Sequence, residues 1–411
     1  MLHPKDAESK ILSLVHPFHN QRDVETITLL SAHGRILAQD VVSQLDFPHW
    51  DNSAMDGYAV RFEDVKTASH DHPVILTVVE EIPAGRQPQQ VVHAHQTARI
   101  FTGAIVPDGA DTIVIQENTD RTGDLVTIYD APKPNAFVRH KAAFYQAGAS
   151  LLPAGTVLNA PEIAVLAAAQ CSQVTVYRRP VVAILSTGDE LVGIDQPLQP
   201  GQIVDSNQYA LSALIQSYGA IPKAFGIIPD NPDALKTSIE SALADADIIL
   251  SSGGVSVGDY DYVDQILETL GATIHVRSVA VKPGKPLTVA SFDSTLYFGL
   301  PGNPVSALVS FWRFVQPALM KLSGYPGSCR PTVVKGRSRH DLQAGGKRET
   351  YLWGQAHLVD GEYEFTLAGG SHSSGNLINL ASTNALAIVP IGQTHITAGN
   401  DISIMIVGRP M

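Results

Sequence analysis

Apolar residues along the chain recur with three different spacings, and each change of spacing marks a change of architecture. Near the N-terminus Ile11, Leu14 and Val15 share one face of a helix predicted over 6–16. A second helix is predicted from Pro161, where proline suits a first helical position and Ile163, Leu166 and Ala167 form a stripe. Between them, residues 49–136 carry short apolar runs at 74–79, 100–101, 112–115 and 125–129. Gly, Pro and Asp turns separate these runs, as in a small β domain.

Residues 180–325 alternate strand and helix. A buried strand over 181–185 ends in Ser186-Thr187-Gly188-Asp189-Glu190, and a helix follows near 209–218. Asn231-Pro232 starts another helix with Leu235, Ile239 and Leu243 aligned. The runs 248–250 and 296–298 read as strands. Tyr262, Val263, Ile266, Leu267 and Leu270 mark a helix between them, and Asn303-Pro304 caps the next. This is the pattern of a parallel sheet covered by helices. From about Pro331 the pattern changes again. Segments 351–353, 363–367, 385–389 and 402–407 read as strands of a small barrel or sandwich.

At 411 residues and 44% hydrophobic content, the chain has material for several cores, roughly two to four domains. The net charge of -12 argues against nucleic acid or an anionic membrane as partner. Cys171 and Cys329 are too few for a disulfide framework or thiolate metal site, which fits a cytoplasmic protein. No apolar run is long enough to span a bilayer.

The candidate chemistry lies in loops. Ser251 to Asp261 is glycine-rich and follows a strand, yet lacks the Lys-Ser/Thr ending of a P-loop and the dinucleotide glycine spacing. Its bare amides suit an anion, and Asp259 and Asp261 suit either helix capping or a hard cation. Lys282 and Lys285 are stiffened by Pro283, Gly284 and Pro286, which favours oxyanion contact over free solvation. Gly302-Asn303-Pro304-Val305-Ser306 reads both as a capped helix start and as an anion site. Asp189, Glu190 and Asp230 belong to the same predicted sheet edge, and carboxylates beside two lysines read as a cation and oxyanion site. The crowded segment 46–60 has neither helix nor strand period and reads as an ordered functional loop or a hinge. Thr102-Gly103-Ala104 reads as a strand-end turn facing the same site. His93 and His95 would share one strand face but lack a third metal ligand.

At these segments the chain resembles the molybdopterin molybdenumtransferases, the MoeA proteins and the gephyrin E domain. The matching residues are Asp51 to Val60, Thr102-Gly103-Ala104 with Val106-Pro107, Ser186 to Leu191, Ser251 to Gly258, Lys282 to Pro286 and Gly299 to Ser306, in the same order. The resemblance implies a multidomain α/β protein. A helical linker and dimerisation domain, 1–48 and 137–178, is interrupted by an inserted β domain, 49–136. A central parallel-sheet α/β domain of the molybdopterin-binding type, 179–326, and a C-terminal β-barrel-like domain, 327–411, follow.

The resemblance also implies a cytoplasmic homodimer that inserts molybdenum from molybdate into adenylylated molybdopterin, releasing AMP with Mg²⁺ as cofactor. The enzyme that adenylylates molybdopterin is a candidate partner. By motif match Glu190, Asp230 and Asp261 are catalytic and metal-holding, while Asp56 and Thr102 come from the partner subunit to an active site at the interface. Ser252, Gly253, Gly254, Ser256, Lys282, Lys285, Pro301, Asn303 and Ser306 would bind the pterin nucleotide and oxyanion.

Four positions depart from the family pattern. Many members carry a Gly-Glu-Asp after the basic run at Arg139-His140-Lys141; here that stretch contains Phe144. Ser278 stands where lysine is common, Trp353 where arginine is common, and Asn379 in a usually serine-rich segment. Three expectations follow. One is an active enzyme with an altered rim. Another is a cofactor-binding paralogue, a carrier or scaffold with weak or no insertase activity. A third, a pterin nucleotidyltransferase, uses the same α/β domain.

Overall fold

The computed structural model describes residues 1–253 and 260–408, the side chains of 260–262 excepted. At its centre is a six-stranded sheet of β1 (Val181–Thr187), β2 (Ile221–Ile228), β3 (Ile248–Ser252), β4 (Thr273–Ser278), β5 (Pro286–Ser291) and β6 (Leu296–Leu300). Their order is β2-β1-β3-β6-β5-β4. Neighbours pair in parallel except at β5, which runs antiparallel to both β4 and β6. Short links on either side of β5 leave no room for a crossover, so the chain must reverse there. β2 and β4 escape the sequence pattern because they are edge strands with mostly unburied positions.

Side chains alternate across β1. Val182 and Ile184 join a core with Leu211, Ile215, Val305 and Leu308, from the helices Asn207–Ser217 and Pro304–Ser310. Ala183 and Leu185 join the opposite core with Leu235, Ile239, Val263 and Leu267, from Pro232–Leu243 and Tyr260–Thr269. Helices on both faces leave the strand ends as the open surface. The loops after β1, β2, β3, β4 and β6 therefore share the carboxyl edge, as the alternating pattern predicts.

Towards the C-terminus, Val333–Ser338, Glu349–Val359, Glu362–Leu367, Ala385–Val389 and Asp401–Ile406 close into a barrel. A short strand, Val281–Lys282, pairs with Glu349 and Thr350 and ties the barrel to the carboxyl edge.

The N-terminal half holds a second six-stranded sheet, ordered Thr112–Ile115, Gly57–Val60, Gln96–Ile100, Val74–Ile82, Leu125–Ile128 and Thr119–Thr122. Segment 46–60 is thus no simple loop. Gly57–Val60 is a strand buried at every position, so it carries no polar alternation to betray it. Nor do His93 and His95 share a strand face. They precede Gln96–Ile100, and His95 turns the chain with φ of 61°. Antiparallel pairs join Val24–Thr28 to Gln173–Tyr177 and Val41–Val42 to Ser150–Leu152. Helix Pro4–Leu14 packs Ala7, Ile11 and the following Val15 into the α/β core. Its Glu8 pairs there with Arg313 at 2.5 Å.

Candidate functional site

The strand-end loops are fastened to one another. Glu190 folds back over Gly188, where a Cβ would come 2.6 Å from Glu190 Oε2. Asp189 Oδ1 accepts the backbone N–H of Asp230 at 3.1 Å, linking the turns after β1 and β2. Glu190 and Asp230 thereby stand on neighbouring, exposed strand ends.

After β3, Gly253 turns with φ of 98°, and a Cβ on it would lie 2.2 Å from Thr187 O. Only glycine fits that approach without a backbone shift. Gly302, after β6, rests on Gly253, with 3.4 Å between a built Cβ and Gly253 Cα. Asn207 locks both loops: its Nδ2 donates to Ser252 Oγ at 2.6 Å and to Gly302 O at 2.8 Å. Asn207 Oδ1 and Thr187 Oγ1 are buried and have no hydrogen-bond partner among the described residues. Such unmet capacity at a strand-end cluster suits a polar ligand. Gly254, Ser256 and the side chain of Asp261 lie outside the described residues.

The loop between β4 and β5 lies on helix Pro304–Ser310. Gly284, with φ of 100°, lets it approach until a Cβ would be 2.8 Å from Ser310 Oγ. Pairing of Lys282 with Thr350 brings Arg348 alongside, where its Nη1 donates to Val281 O at 3.2 Å. Lys282, Lys285 and Arg348 line a cleft of about 460 Å³ with Pro301, Asn303 and Ser306. None of these three cations has an ion pair among the described residues. Unpaired positive charge in a concave site raises the local concentration of anions, despite the acidic whole. Asn303 starts the helix without a side-chain capping bond, so its amide remains available to a ligand.

A larger cavity, about 650 Å³, opens at the opposite edge of the sheet beside Arg178. That guanidinium is already bidentate to Asp247 at 2.6 and 2.8 Å. The smaller cleft is the better anion site.

Asp56 and Thr102 lie together on the other six-stranded sheet, where Asp56 Oδ1 accepts two bonds from Thr102. The nearby basic run is engaged: His140 Nδ1 is 3.0 Å from Asp51 Oδ2, and Lys141 N donates to Asp51 Oδ1 at 2.7 Å. Phe144 is 73% exposed. Trp353, by contrast, is 1% exposed inside the barrel wall and donates to Asn379 Oδ1 at 2.9 Å. It is core as much as rim. Arg277 cannot replace a lysine at Ser278, because it turns onto Asp264 and Glu268 at 2.7 and 3.3 Å. Arg348 and His372 carry no local sequence signal; only the barrel brings them to the cleft. Asn207 follows Asp-Ser at a helix start, a signal that suggests capping rather than a lock between loops.

Three family models match the chain: MoeA N-terminal region (domain I and II) over 2–169, probable molybdopterin binding domain over 183–321, and MoeA C-terminal region (domain IV) over 335–407. A molybdopterin molybdenumtransferase of Nostoc sp. is 61% identical over 98% of this chain and 93% of its own. The chain belongs to the molybdopterin molybdenumtransferase family. A family member from Haemophilus influenzae is 33% identical over 98% of both chains. The crystal structure of the molybdopterin biosynthesis MoeA protein of Pyrococcus horikosii covers all of both chains, with TM-score 0.83 and 29% identity. These relatives share the fold from end to end, and this chain, like the named family members, is a transferase enzyme.

Proposed function

We propose that this chain inserts molybdenum from molybdate into adenylylated molybdopterin during molybdenum cofactor synthesis, with release of AMP. The observation that carries this reading is the cleft of three unpaired cations, Lys282, Lys285 and Arg348, on the same carboxyl edge of the sheet as the strand ends bearing Glu190 and Asp230. Cations attract and orient a tetrahedral dianion, and the neighbouring carboxylates suit a hard cation on the substrate phosphates.

An oxygen-only donor set fits Mg²⁺, which typically takes one or two carboxylates together with phosphate oxygens. Glu190, Asp230 and Asp261 would hold it. Bound there, the ion would neutralise charge on the phosphoanhydride. Ser252, Gly253, Gly254 and Ser256 would offer amides and hydroxyls to the nucleotide, while Pro301, Asn303 and Ser306 would shape the wall shared with the oxyanion. No protein nucleophile is needed, since the pterin carries the thiolates; the chain binds, orients and excludes water.

Asp56 and Thr102 complete the site from the partner subunit of a homodimer. Supporting this, Trp50, Met55, Phe137 and Phe144 are 47%, 39%, 44% and 73% exposed around the same segment, apolar surface that a second subunit would cover. The division into 1–48 with 137–178, 49–136, 179–326 and 327–411 belongs to this reading, as do a cytoplasmic location and hand-over from the adenylylating enzyme. No helix among the described residues is long and apolar enough to cross a membrane.

The neutral pair Trp353–Asn379, where arginine and serine are common, favours a second reading: a carrier or scaffold that binds the cofactor without efficient insertion. Purified protein with adenylylated molybdopterin, molybdate and Mg²⁺ separates them. AMP release coupled to active cofactor supports insertion. Tight binding without AMP release supports the carrier. Adenylylation of free molybdopterin from ATP overturns both.

A further inference from the structure

The chain carries 40 Asp and Glu against 28 Lys and Arg, so three cations without partners at one cleft need a reason. Register puts a carboxylate beside two of them. Glu349 follows Arg348 in sequence, and the parallel pairing of Val281 with Glu349 and of Lys282 with Thr350 sets it one residue from Lys282. Neighbouring strands lie about 4.8 Å apart, within the reach of a glutamate side chain. Glu349 also opens its strand and is half-buried, so the sheet does not enclose it on both sides.

Glu349 is instead engaged by Tyr351. The two lie two residues apart on one strand and so share a face, and Tyr351 lines the cleft with Arg348. Tyr351 Oη accepts from Arg313 Nε at 2.9 Å and is hydrogen-bonded to Glu349 Oε1. A guanidinium cannot accept, so the phenol proton goes to the carboxylate. Burial pushes the phenol well above the ordinary tyrosine range, which keeps that proton in place. Arg313 is in turn anchored on the buried Glu8 of the N-terminal helix at 2.5 Å. The chain Glu8–Arg313–Tyr351 thus ends on the one carboxylate that register places next to Arg348 and Lys282.

We propose that Tyr351 is a positioning residue of the oxyanion cleft: its hydroxyl holds the Glu349 carboxylate away from Lys282 and Arg348, and so keeps both cations free for a dianion. Released, Glu349 would neutralise one cation and repel the incoming anion. This rests on the oxyanion reading of the cleft given above.

Calorimetric titration of the full-length protein with sodium molybdate, at neutral pH and low ionic strength, tests it. Affinity should fall several-fold in Tyr351→Phe and return to the wild-type value in the double variant Tyr351→Phe, Glu349→Gln. Both variants leave Arg313 Nε without its acceptor, so both should melt below wild type. Damage to packing would therefore weaken the double variant as much as the single one. Unchanged affinity in Tyr351→Phe, or a loss that Glu349→Gln does not restore, overturns the role of Tyr351. So does a gain from Glu349→Gln as large in the wild type as in Tyr351→Phe, since the carboxylate would then be unrestrained from the start. Lys282→Ala identifies binding at this cleft. No Lys282-dependent binding in the wild type overturns the oxyanion reading itself, and this inference with it.

Discussion

Asp56 Oδ1 accepts both the backbone N–H and the hydroxyl of Thr102, each at 2.8 Å. These bonds favour the charged carboxylate, the backbone bond most, and Asp56 titrates below the ordinary carboxylate range. Stability from the pair is therefore fully present above about pH 4, the unfolded value, and is lost as pH falls through the lower folded value. Thr102→Val keeps the backbone bond and removes the hydroxyl. It should move the Asp56 titration upward by carboxyl ¹³C NMR; an unmoved titration would contradict the hydroxyl's share. Asp56→Ala should cut AMP release by roughly 100-fold or more, the scale of losing one preorganised polar group, with an unchanged circular dichroism spectrum. Wild-type turnover in that variant would remove Asp56 from the site.

Glu8 and Arg313 are a nearly buried pair, with side-chain exposures of 9% and 8%, and Arg313 Nε also donates to Tyr351 Oη at 2.9 Å. Glu8→Ala strands the guanidinium without its carboxylate, at a cost of about 3–5 kcal/mol. The expected readout is a clear fall in thermal midpoint. An unchanged midpoint would mean that water reaches the Arg313 guanidinium once Glu8 is gone.

Lys282→Ala and Arg348→Ala should each raise the KM for molybdate about tenfold, the equivalent of one charge-assisted contact of about 1.4 kcal/mol, with the KM for the pterin nucleotide changing less. Added salt should weaken molybdate binding in the wild type more than in either variant. Steady-state kinetics at two ionic strengths checks this, and identical salt slopes would count against the cleft.

Trp353→Arg places an arginine at the position where the family resemblance leads one to expect it. Here it should destabilise by about 3–5 kcal/mol, because it removes a buried indole and buries a charge without a partner. Chemical denaturation checks the direction. A variant as stable as wild type, with tighter molybdate binding, would show that the barrel wall tolerates the swap.

Gly253→Ala should fail by geometry alone. Its Cβ would meet Thr187 O at 2.2 Å, in a backbone conformation that costs an alanine about 1–2 kcal/mol. Loss of nucleotide binding with the thermal midpoint only modestly lowered is expected from calorimetry and thermal melts. Binding at wild-type strength would mean that the loop can shift without consequence.

Local pattern alone determined a good part of this protein. Alternation and apolar runs mark β1, β3, β6, three strands of the N-terminal sheet (Val74–Ile82, Thr112–Ile115 and Leu125–Ile128) and four barrel strands, because those residues must bury one or both faces whatever surrounds them. Asn231 and Pro232 likewise start their helix by local chemistry, Asn231 Oδ1 accepting from Asp233 N at 2.8 Å and from Ala234 N at 3.2 Å. The glycine and lysine loops could be read as an anion site from composition. Gly57–Val60 stayed hidden because full burial erases alternation, and β2 and β4 because edge strands bury too little to show it.

Only the tertiary structure decided which loops meet and what stands opposite them. Arg348 reaches Lys282 through one short parallel strand pair, His372 through a barrel loop, and Asn207 through a bond across two strand ends. Each of those relations joins residues far apart in the chain, and no local energy term encodes them. They follow from how two sheets and a barrel must pack to bury their apolar faces. The same packing turned Trp353 from a suspected rim position into part of the core, and left His372 with a buried nitrogen that no residue described here satisfies.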